Sequence, residues 1–252
     1  MFDLTGHVAL MTGGNGGLGL AMARGLAKAG AKIAIWGRNE KKNALSVAEL
    51  EALGGEAKAF ACDVTKAVSS VQAFAATITH FGKIDSCFAN AGGGGARGSF
   101  HTMTREDWMS TADLNLMSVV DTFQHATRHW LGRKAPGKLI ATSSIAGMLG
   151  IPGGTGYSTT KAAVQGLVRS LAIEYGRAGI QANAILPGFI ETEMSLSAPQ
   201  HFQDACKRRA ASGKIGQLED MEGIAVFLAS PESRFMTGQC VVLDGGHSIS
   251  PF

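Results

Sequence analysis

The chain of 252 residues lacks the features that would mark a nucleic-acid-binding, exported or membrane protein. Its net charge is only +3, and it has no block of basic residues that would indicate a nucleic-acid partner. No uninterrupted apolar stretch reaches about 18 residues, and the N-terminus has no long apolar segment of the kind found in signal peptides. We therefore expect a soluble, cytoplasmic protein whose partners include no nucleic acid and no membrane.

Cysteine is scarce, and the usual metal ligands form no obvious cluster. The four cysteines, Cys62, Cys87, Cys206 and Cys240, are far apart, and three of them lie in or beside apolar, strand-like runs. This distribution predicts free, buried thiols in a reducing compartment. The seven histidines are spread along the chain, so we expect no metal ion in catalysis.

What the sequence does contain is a regular alternation of strand and helix patterns. Apolar runs predict strands at 7–12, 32–36, 57–61, 84–88, 138–142, 181–185 and 239–243, with amphipathic helices between most of them. Such alternation predicts an α/β fold with one doubly wound parallel sheet covered by helices on both faces. No linker or repeat divides the chain, so residues 1–252 are expected to form one domain.

A glycine-rich turn follows the first predicted strand. Residues 12–19 read Thr-Gly-Gly-Asn-Gly-Gly-Leu-Gly and lead into a helical pattern at 20–29. Glycine lets the backbone approach a pyrophosphate closely, and the N-terminus of the next helix attracts its negative charge. A glycine-rich turn can also be an ordinary loop, but its place between a strand and a helix favours dinucleotide binding.

Tyr157 and Lys161 form the most informative pair in the second half of the chain. They are four residues apart at the start of a helical pattern, so they share one helix face. An ammonium group beside a phenol favours the phenolate, and we expect Lys161 to lower the pKa of Tyr157. A tyrosine tuned in this way can exchange protons near neutral pH. Taken alone, the pair could equally be an interfacial aromatic residue with a solvated lysine.

With both motifs in view, the chain resembles the short-chain dehydrogenase/reductase family, in its branch of roughly 250 residues, over nearly its full length. The matching blocks are Thr12-Gly13-x-x-x-Gly17-x-Gly19, Cys62-Asp63-Val64, Asn90-Ala91-Gly92, Asn115, Ser144, Tyr157-x-x-x-Lys161 and Pro187-Gly188-x-x-x-Thr192. The resemblance implies a Rossmann-type fold and an oxidoreductase that uses NAD(P)(H) to interconvert a secondary alcohol and a ketone. A sugar, a sugar acid or a small keto compound is a candidate substrate.

The resemblance also assigns catalytic roles. It makes Tyr157 the acid in reduction and the base in oxidation, while Ser144 donates a hydrogen bond to the substrate oxygen. Ser143 is a neighbouring candidate for the serine role, but the spacing of thirteen residues to Tyr157 favours Ser144. Lys161 would lower the pKa of Tyr157 and bind the nicotinamide ribose. Asn115, on a long preceding helix, would anchor a water that relays protons to Lys161.

Cofactor contacts are likewise implied by the resemblance. Asp63 would accept a hydrogen bond from the adenine, and Ile190 and Thr192 would hold the nicotinamide carboxamide. The implied cofactor-binding residues are Gly13, Asn15, Gly17, Leu18, Gly19, Arg38, Asn39, Asp63, Val64, Asn90, Ala91, Gly92, Tyr157, Lys161, Pro187, Gly188, Ile190 and Thr192.

The end of the second strand decides between the two nicotinamide cofactors. NAD enzymes of this kind place an acid about 20 residues past the glycine turn, where it binds the ribose 2′-hydroxyl and repels a 2′-phosphate. Here the position holds Gly37, followed by Arg38, whose guanidinium can pair with phosphate oxygens. The family's other basic marker is replaced by Gly16. We therefore predict NADP(H) as the preferred cofactor, with NAD(H) still open.

Three further expectations concern the substrate, the assembly and the alternatives. Residues 145–156 and a segment at about 189–213 would close over the substrate. Long helices at about 105–130 and 157–175 would pair across two-fold axes, as in relatives, to give a homotetramer. A catalytically silent NADP-binding regulator would have lost Tyr157, Lys161 or Ser144, whereas the chain retains all three. A lyase or epimerase on the same scaffold is the other alternative.

Overall fold

The computed structural model describes residues 1–249 and contains one seven-stranded sheet. Its strands are β1 (Val8–Thr12), β2 (Lys32–Gly37), β3 (Ala57–Ala61), β4 (Ser86–Ala89), β5 (Gly137–Thr142), β6 (Ile180–Pro187) and β7 (Cys240–Leu243). Every neighbouring pair is parallel, in the order β3-β2-β1-β4-β5-β6-β7. The predicted parallel α/β fold is confirmed, and each strand lies within two residues of its predicted position.

Helices cover both faces of the sheet. They are α1 (Gly17–Lys28), α2 (Glu40–Ala52), α3 (Ala67–Phe81), α4 (Arg105–Ala112), α5 (Ser118–Arg133), α6 (Ala146–Leu149), α7 (Thr155–Tyr175), α8 (Glu193–Leu196), α9 (Gln200–Arg209) and α10 (Asp220–Ala229). The predicted long helix at about 105–130 is interrupted, because a π-helical turn (Asp113–Met117) lies between α4 and α5. Among residues 1–249, no helix is both long and apolar enough to cross a membrane.

Alternation of side chains along the strands builds two cores, one on each face of the sheet. In β1, Val8 and Leu10 pack into the core that includes Trp130 and Val164, from α5 and α7. The intervening residues of β1 pack on the opposite face against α1 and α10. Both faces are therefore buried, which explains why the strands read as continuous apolar runs rather than as an alternating pattern.

The strand order reverses its direction between β1 and β4. From β1 the chain builds outward through β2 to β3, and then returns to place β4 on the other side of β1. At such a switch point, loops on opposite sides diverge and leave a crevice at the carboxyl edge of the sheet. The glycine-rich turn after β1 and the segment 90–92 after β4 both lie at this point.

The cysteines and histidines of the described part form no metal site. All four cysteines are free, three of them buried and Cys240 half-buried. His125 and His129 stand four residues apart on α5, so the histidines are not all far apart, contrary to the expectation from the sequence. Both rings pack against Phe74, and His125 also shares a hydrogen bond with Ser70. Within residues 1–249 no group of three or more His, Cys, Asp or Glu is arranged to hold a metal ion.

Candidate active site

The glycine turn after β1 forms an open cradle at the crevice. Gly13 and Gly17 adopt positive φ angles of 64° and 50°. Among residues 1–249, no side chain caps the N-terminus of α1, and apart from the chain neighbours of Gly16 no atom lies within 4 Å of the place where its Cβ would be. The first turn of α1 therefore presents its positive end to an open groove, which fits a pyrophosphate group.

Gly19 and Asn90 hold the back of this cradle. A Cβ on Gly19 would lie 2.5 Å from the Asn90 side-chain amide, so only glycine fits there. The Asn90 amide donates to the carbonyl oxygen of Thr12, and its side-chain oxygen accepts from Thr142. The backbone N–H groups of Asn90 and Ala91 both donate to the Thr12 hydroxyl. Asn90 thus joins the ends of β1, β4 and β5, and its side chain supports the turn from behind.

Asp63 and Arg38 lie at the outer end of the groove. Asp63 accepts hydrogen bonds from Thr65, which hold the pKa of its carboxyl below the usual range, and the nearby charge of Arg38 acts in the same direction. Arg38 is exposed and has no ion-pair partner among residues 1–249. Asn39 was predicted to bind the cofactor; here its side chain caps α2 by accepting from Lys42 N–H.

Asn15 and Asn43 fill the space beside Gly37. The Asn15 amide donates to Asn43 at 2.7 Å, and the Asn43 amide donates to the carbonyl oxygen of Gly37. A Cβ on Gly37 would lie 2.6 Å from Asn15 Cγ. An acid at position 37 would therefore collide with this pair. Asn43 was not identified from the sequence, because nothing in its helical context distinguishes it from a surface residue.

Ser144 and Tyr157 meet at the carboxyl edge, where β5 ends and α7 begins. Both are half-buried, and the Ser144 hydroxyl lies near enough to the Tyr157 phenol to lower its pKa. The Ser144 oxygen also accepts from Ala146 N–H. Ser143 is buried and donates instead to the backbone carbonyl of Lys161 at 2.8 Å. The structure therefore brings Ser144, rather than its neighbour, to the phenol.

Lys161 lies beneath the Tyr157 ring. Its ammonium nitrogen is 5.7 Å from the ring centroid and donates to the Thr142 carbonyl at 2.8 Å. Burial lowers the pKa of Lys161 to about 8, because a buried ammonium loses its hydration. Burial also raises the pKa of Tyr157, outweighing the nearby Ser144 hydroxyl and the charge of Arg97, which lower it. This direction is opposite to the one that the sequence led us to expect.

Asn115 lies in the π-helical turn and is fully buried. Its side chain makes two hydrogen bonds of 3.0 Å with the backbone of Gly93, one to the N–H and one to the carbonyl. A Cβ on Gly92 would lie 2.8 Å from Asn115 Oδ1 and 3.5 Å from Lys161 Nζ. The structure thus brings Asn115, Lys161 and the loop after β4 to one point. Single π-helical turns often mark functional sites.

The segment after β6 forms the opposite wall of the groove. Gly188 N–H donates to Leu243, and Ile190 pairs with Gly216 in an isolated bridge. The Thr192 hydroxyl caps α8 by accepting from Ser195 N–H at 3.0 Å. The Thr192 methyl carbon would lie 3.9 Å from a Cβ on Gly17. This segment therefore faces the glycine turn across the groove.

These features fit a nicotinamide dinucleotide in an extended conformation. The uncapped helix start would meet its pyrophosphate, Asp63 and Arg38 lie where its adenosine half would be, and Tyr157 with Lys161 lies at the other end. The side chains of Asn90, Asn39 and Thr192 are occupied by contacts within the protein. Their contribution to cofactor binding would therefore come through the backbone that they fix.

Comparison with known proteins shows the family to which the chain belongs. The family model described as enoyl-(acyl carrier protein) reductase matches residues 13–248. Gluconate 5-dehydrogenase of Gluconobacter oxydans is 36% identical over 252 residues, which cover 99% of this chain and 98% of the relative.

Two solved structures show the same fold. An NADPH-dependent 3-quinuclidinone reductase of Rhodotorula rubra superposes with a TM-score of 0.92 at 33% identity, covering 98% of this chain and 93% of the other. A 7α-hydroxysteroid dehydrogenase complexed with NADH gives 0.93 at 30% identity, covering 97% and 95%. The chain belongs to the short-chain dehydrogenase/reductase family of oxidoreductases that use NAD(P)(H).

Proposed function

We propose that the protein interconverts a secondary alcohol and a ketone, with Tyr157 as the acid in reduction and the base in oxidation. The observation that carries this proposal is the proximity of the Tyr157 and Ser144 hydroxyl groups beside the buried ammonium of Lys161. Two hydroxyl groups that converge on one point can bind a single carbonyl oxygen, and one of them can transfer a proton to it.

The chain's own residues supply the proton transfer. A bound nicotinamide supplies the hydride in reduction and accepts it in oxidation. In reduction, Tyr157 Oη gives its proton to the substrate oxygen as the carbonyl group becomes an alcohol. The Ser144 hydroxyl stabilises the negative charge that develops on this oxygen. In oxidation the same phenol oxygen takes the proton. Lys161 would hold the nicotinamide ribose and favour the phenolate through its positive charge. Asn115 would fix the loop that encloses Lys161.

We also propose a preference for NADP(H). It is supported by the absence of an acid at Gly37, where an added side chain would have to push the amides of Asn15 and Asn43 aside, and by the exposed guanidinium of Arg38 near Asp63. Relatives in this family include enzymes described with NADPH and with NADH. The choice therefore depends on this chain's own residues.

The whole chain, 1–252, is proposed to act as one catalytic unit in the cytoplasm. Its four free thiols fit a reducing compartment. The segment at about 189–213, which contains α8 and α9, would close over the substrate. Neither a silent regulator nor a lyase or epimerase has a specific observation in its favour, because the catalytic side chains are present and arranged together.

A substrate screen tests the proposal. We expect secondary alcohols, including gluconate, on which a relative's name is based, to reduce NADP⁺ in an absorbance assay of the reduced nicotinamide. The panel contains sugars, sugar acids, hydroxy acids and ketones, each tested with both cofactors and with Tyr157→Phe as the background control. Turnover that is equal in wild type and Tyr157→Phe throughout the panel would contradict the proposal.

We propose a homotetramer built on α5 and α7. Ile173 on α7 is 86% exposed, and Leu131 on α5 and Met117, just before α5, are each 44% exposed, so this surface presents apolar side chains outward. Light scattering is expected to give four times the chain mass, and Ile173→Asp is expected to reduce it. Val68→Asp, at an exposed position of α3, is the matched control and should leave the mass unchanged. A stable wild-type monomer at micromolar concentration would refute this assembly.

A further inference from the structure

Arg97 is a cation at the edge of the active site that has no partner within the described structure. It is exposed on the loop between β4 and α4. Among residues 1–249 its guanidinium makes no ion pair and no hydrogen bond. A guanidinium offers five N–H donors in a planar fork that matches a carboxylate. The Arg97 guanidinium, beside the candidate catalytic centre, is therefore available to bind a ligand.

The position of Arg97 is fixed by the backbone on both sides of it. The N–H of Ala96 donates to the buried hydroxyl of Thr111 at 3.0 Å. A Cβ on Gly95 would lie 2.5 Å from Thr111, so the loop passes as close to α4 as its backbone allows. On the other side, Gly98 N–H donates to the Gly153 carbonyl at 3.1 Å. The loop is thus held in place without any contact made by the arginine side chain.

The guanidinium points at the helix start that carries Tyr157. One of its terminal nitrogens lies 3.7 Å from the place of a Cβ on Gly154, the residue preceding α7, and the other lies 3.5 Å from that of Gly94. The charge of Arg97 acts on the Tyr157 phenol, where it opposes the effect of burial on the pKa. Because both positions hold glycine, the Arg97 guanidinium has room at the entrance of the active site.

Two acidic residues of the segment after β6 are engaged in other contacts. Glu193 pairs with Lys42 at 3.0 Å, across the groove on α2. Glu191 accepts a hydrogen bond from the Gln217 amide at 3.0 Å. Neither of these carboxylates therefore neutralises Arg97.

We propose that Arg97 binds a carboxylate of the substrate, so that the enzyme acts on hydroxy acids and their keto acids. This inference rests on the proposed function, because it places the reacting oxygen at Tyr157 and Ser144. The carboxylate then lies on a second anchor at the mouth of the site and orients the carbon that exchanges the hydride. One guanidinium matches one carboxylate in charge and in geometry.

Binding of matched ligands tests this role without turnover. The enzyme is saturated with reduced cofactor, which prevents oxidation of an alcohol, and is titrated calorimetrically with carboxylates and their neutral amides. The pairs are gluconate and gluconamide, lactate and lactamide, and 3-hydroxybutyrate and its amide. We expect at least one carboxylate to bind wild type about 10- to 100-fold more tightly than its amide, in line with a charge-assisted hydrogen bond.

The variants separate a charge contact from a structural effect. Arg97→Met should remove the preference for the carboxylate and leave amide binding unchanged, whereas Arg97→Lys should keep part of it because it retains the charge but not the fork. Arg133→Met, at the exposed C-terminal end of α5, is the control and should behave as wild type. Equal binding of every carboxylate and its amide to wild type overturns the inference, as does a preference that survives in Arg97→Met.

Two further results distinguish this inference from the proposed function. If neutral alcohols are oxidised as well as carboxylates by both wild type and Arg97→Met, the inference falls while the oxidoreductase function stands. If Arg97→Met instead lowers turnover of a neutral alcohol as much as that of a hydroxy acid, Arg97 acts only through the Tyr157 phenol and the inference is again overturned. An active Tyr157→Phe would contradict the proposed function itself, whatever the binding data show.

Discussion

Tyr157→Phe is expected to lower kcat by about 10²- to 10⁴-fold, the usual contribution of a positioned acid or base. The substitution removes only the phenol oxygen, which carries the transferable proton and lies near Ser144. The ring and its packing over Lys161 are retained, so the affinity for reduced nicotinamide, measured by fluorescence titration, should stay within about 2-fold. Near-normal turnover by Tyr157→Phe of a substrate that wild type reduces would contradict the proposed mechanism.

Lys161→Ala is the informative comparison for that result. Lys161 is buried, donates to Thr142 and lies under the Tyr157 ring, so its loss should weaken both turnover and cofactor affinity. Alcohol oxidation by wild type should rise with pH, because it requires the Tyr157 phenolate and burial raises the pKa of this group. In Tyr157→Phe the residual rate should lose this pH dependence. The two variants together separate proton transfer from cofactor binding.

The strands and the positions of the site residues could be read from the sequence for a simple physical reason. A parallel sheet buried on both faces demands apolar runs, and each run here ends at a residue that lies on the carboxyl edge. The strand that ends at Thr12 is an example, because Gly13 follows at once and the turn reaches the groove. Spacing along a helix similarly places Tyr157 next to Lys161.

Other properties of the site depend on contacts between distant segments. The pKa of Tyr157 is set mainly by burial, which spacing along one helix does not reveal, and so its direction was predicted wrongly. Arg97 lies in a glycine-rich loop that has the sequence of an ordinary surface loop. Only the structure shows that Thr111 and Gly153 hold this loop in place. The π-helical turn at Asn115 likewise has no sequence pattern that we could recognise.

The packing at Gly37 changes how a switch of cofactor preference should be designed. From the sequence alone, a switch to NAD would place an acid at position 37, because NAD enzymes carry one there. In the structure the site of its Cβ is taken by the amides of Asn15 and Asn43. Asn15 belongs to the glycine turn, so an acid at position 37 would require the side chains of Asn15 and Asn43 to shift beside this turn. An acid at position 38 avoids this collision, because Arg38 is exposed.

Arg38→Ala is expected to raise the KM for NADPH by about 10- to 100-fold, equivalent to about 1.5 to 3 kcal/mol for a hydrogen bond to a charged group. The KM for NADH should hardly change, since it lacks the 2′-phosphate. Arg38→Asp should go further and reverse the preference, because its carboxylate repels the phosphate and can accept from the 2′-hydroxyl. Lys58→Ala, which removes an exposed charge from the edge strand β3, is the control. Should Arg38→Ala alter both cofactors alike, Arg38 would be only a surface turn residue, and the NADP(H) preference would fall while the oxidoreductase chemistry of Tyr157 stood.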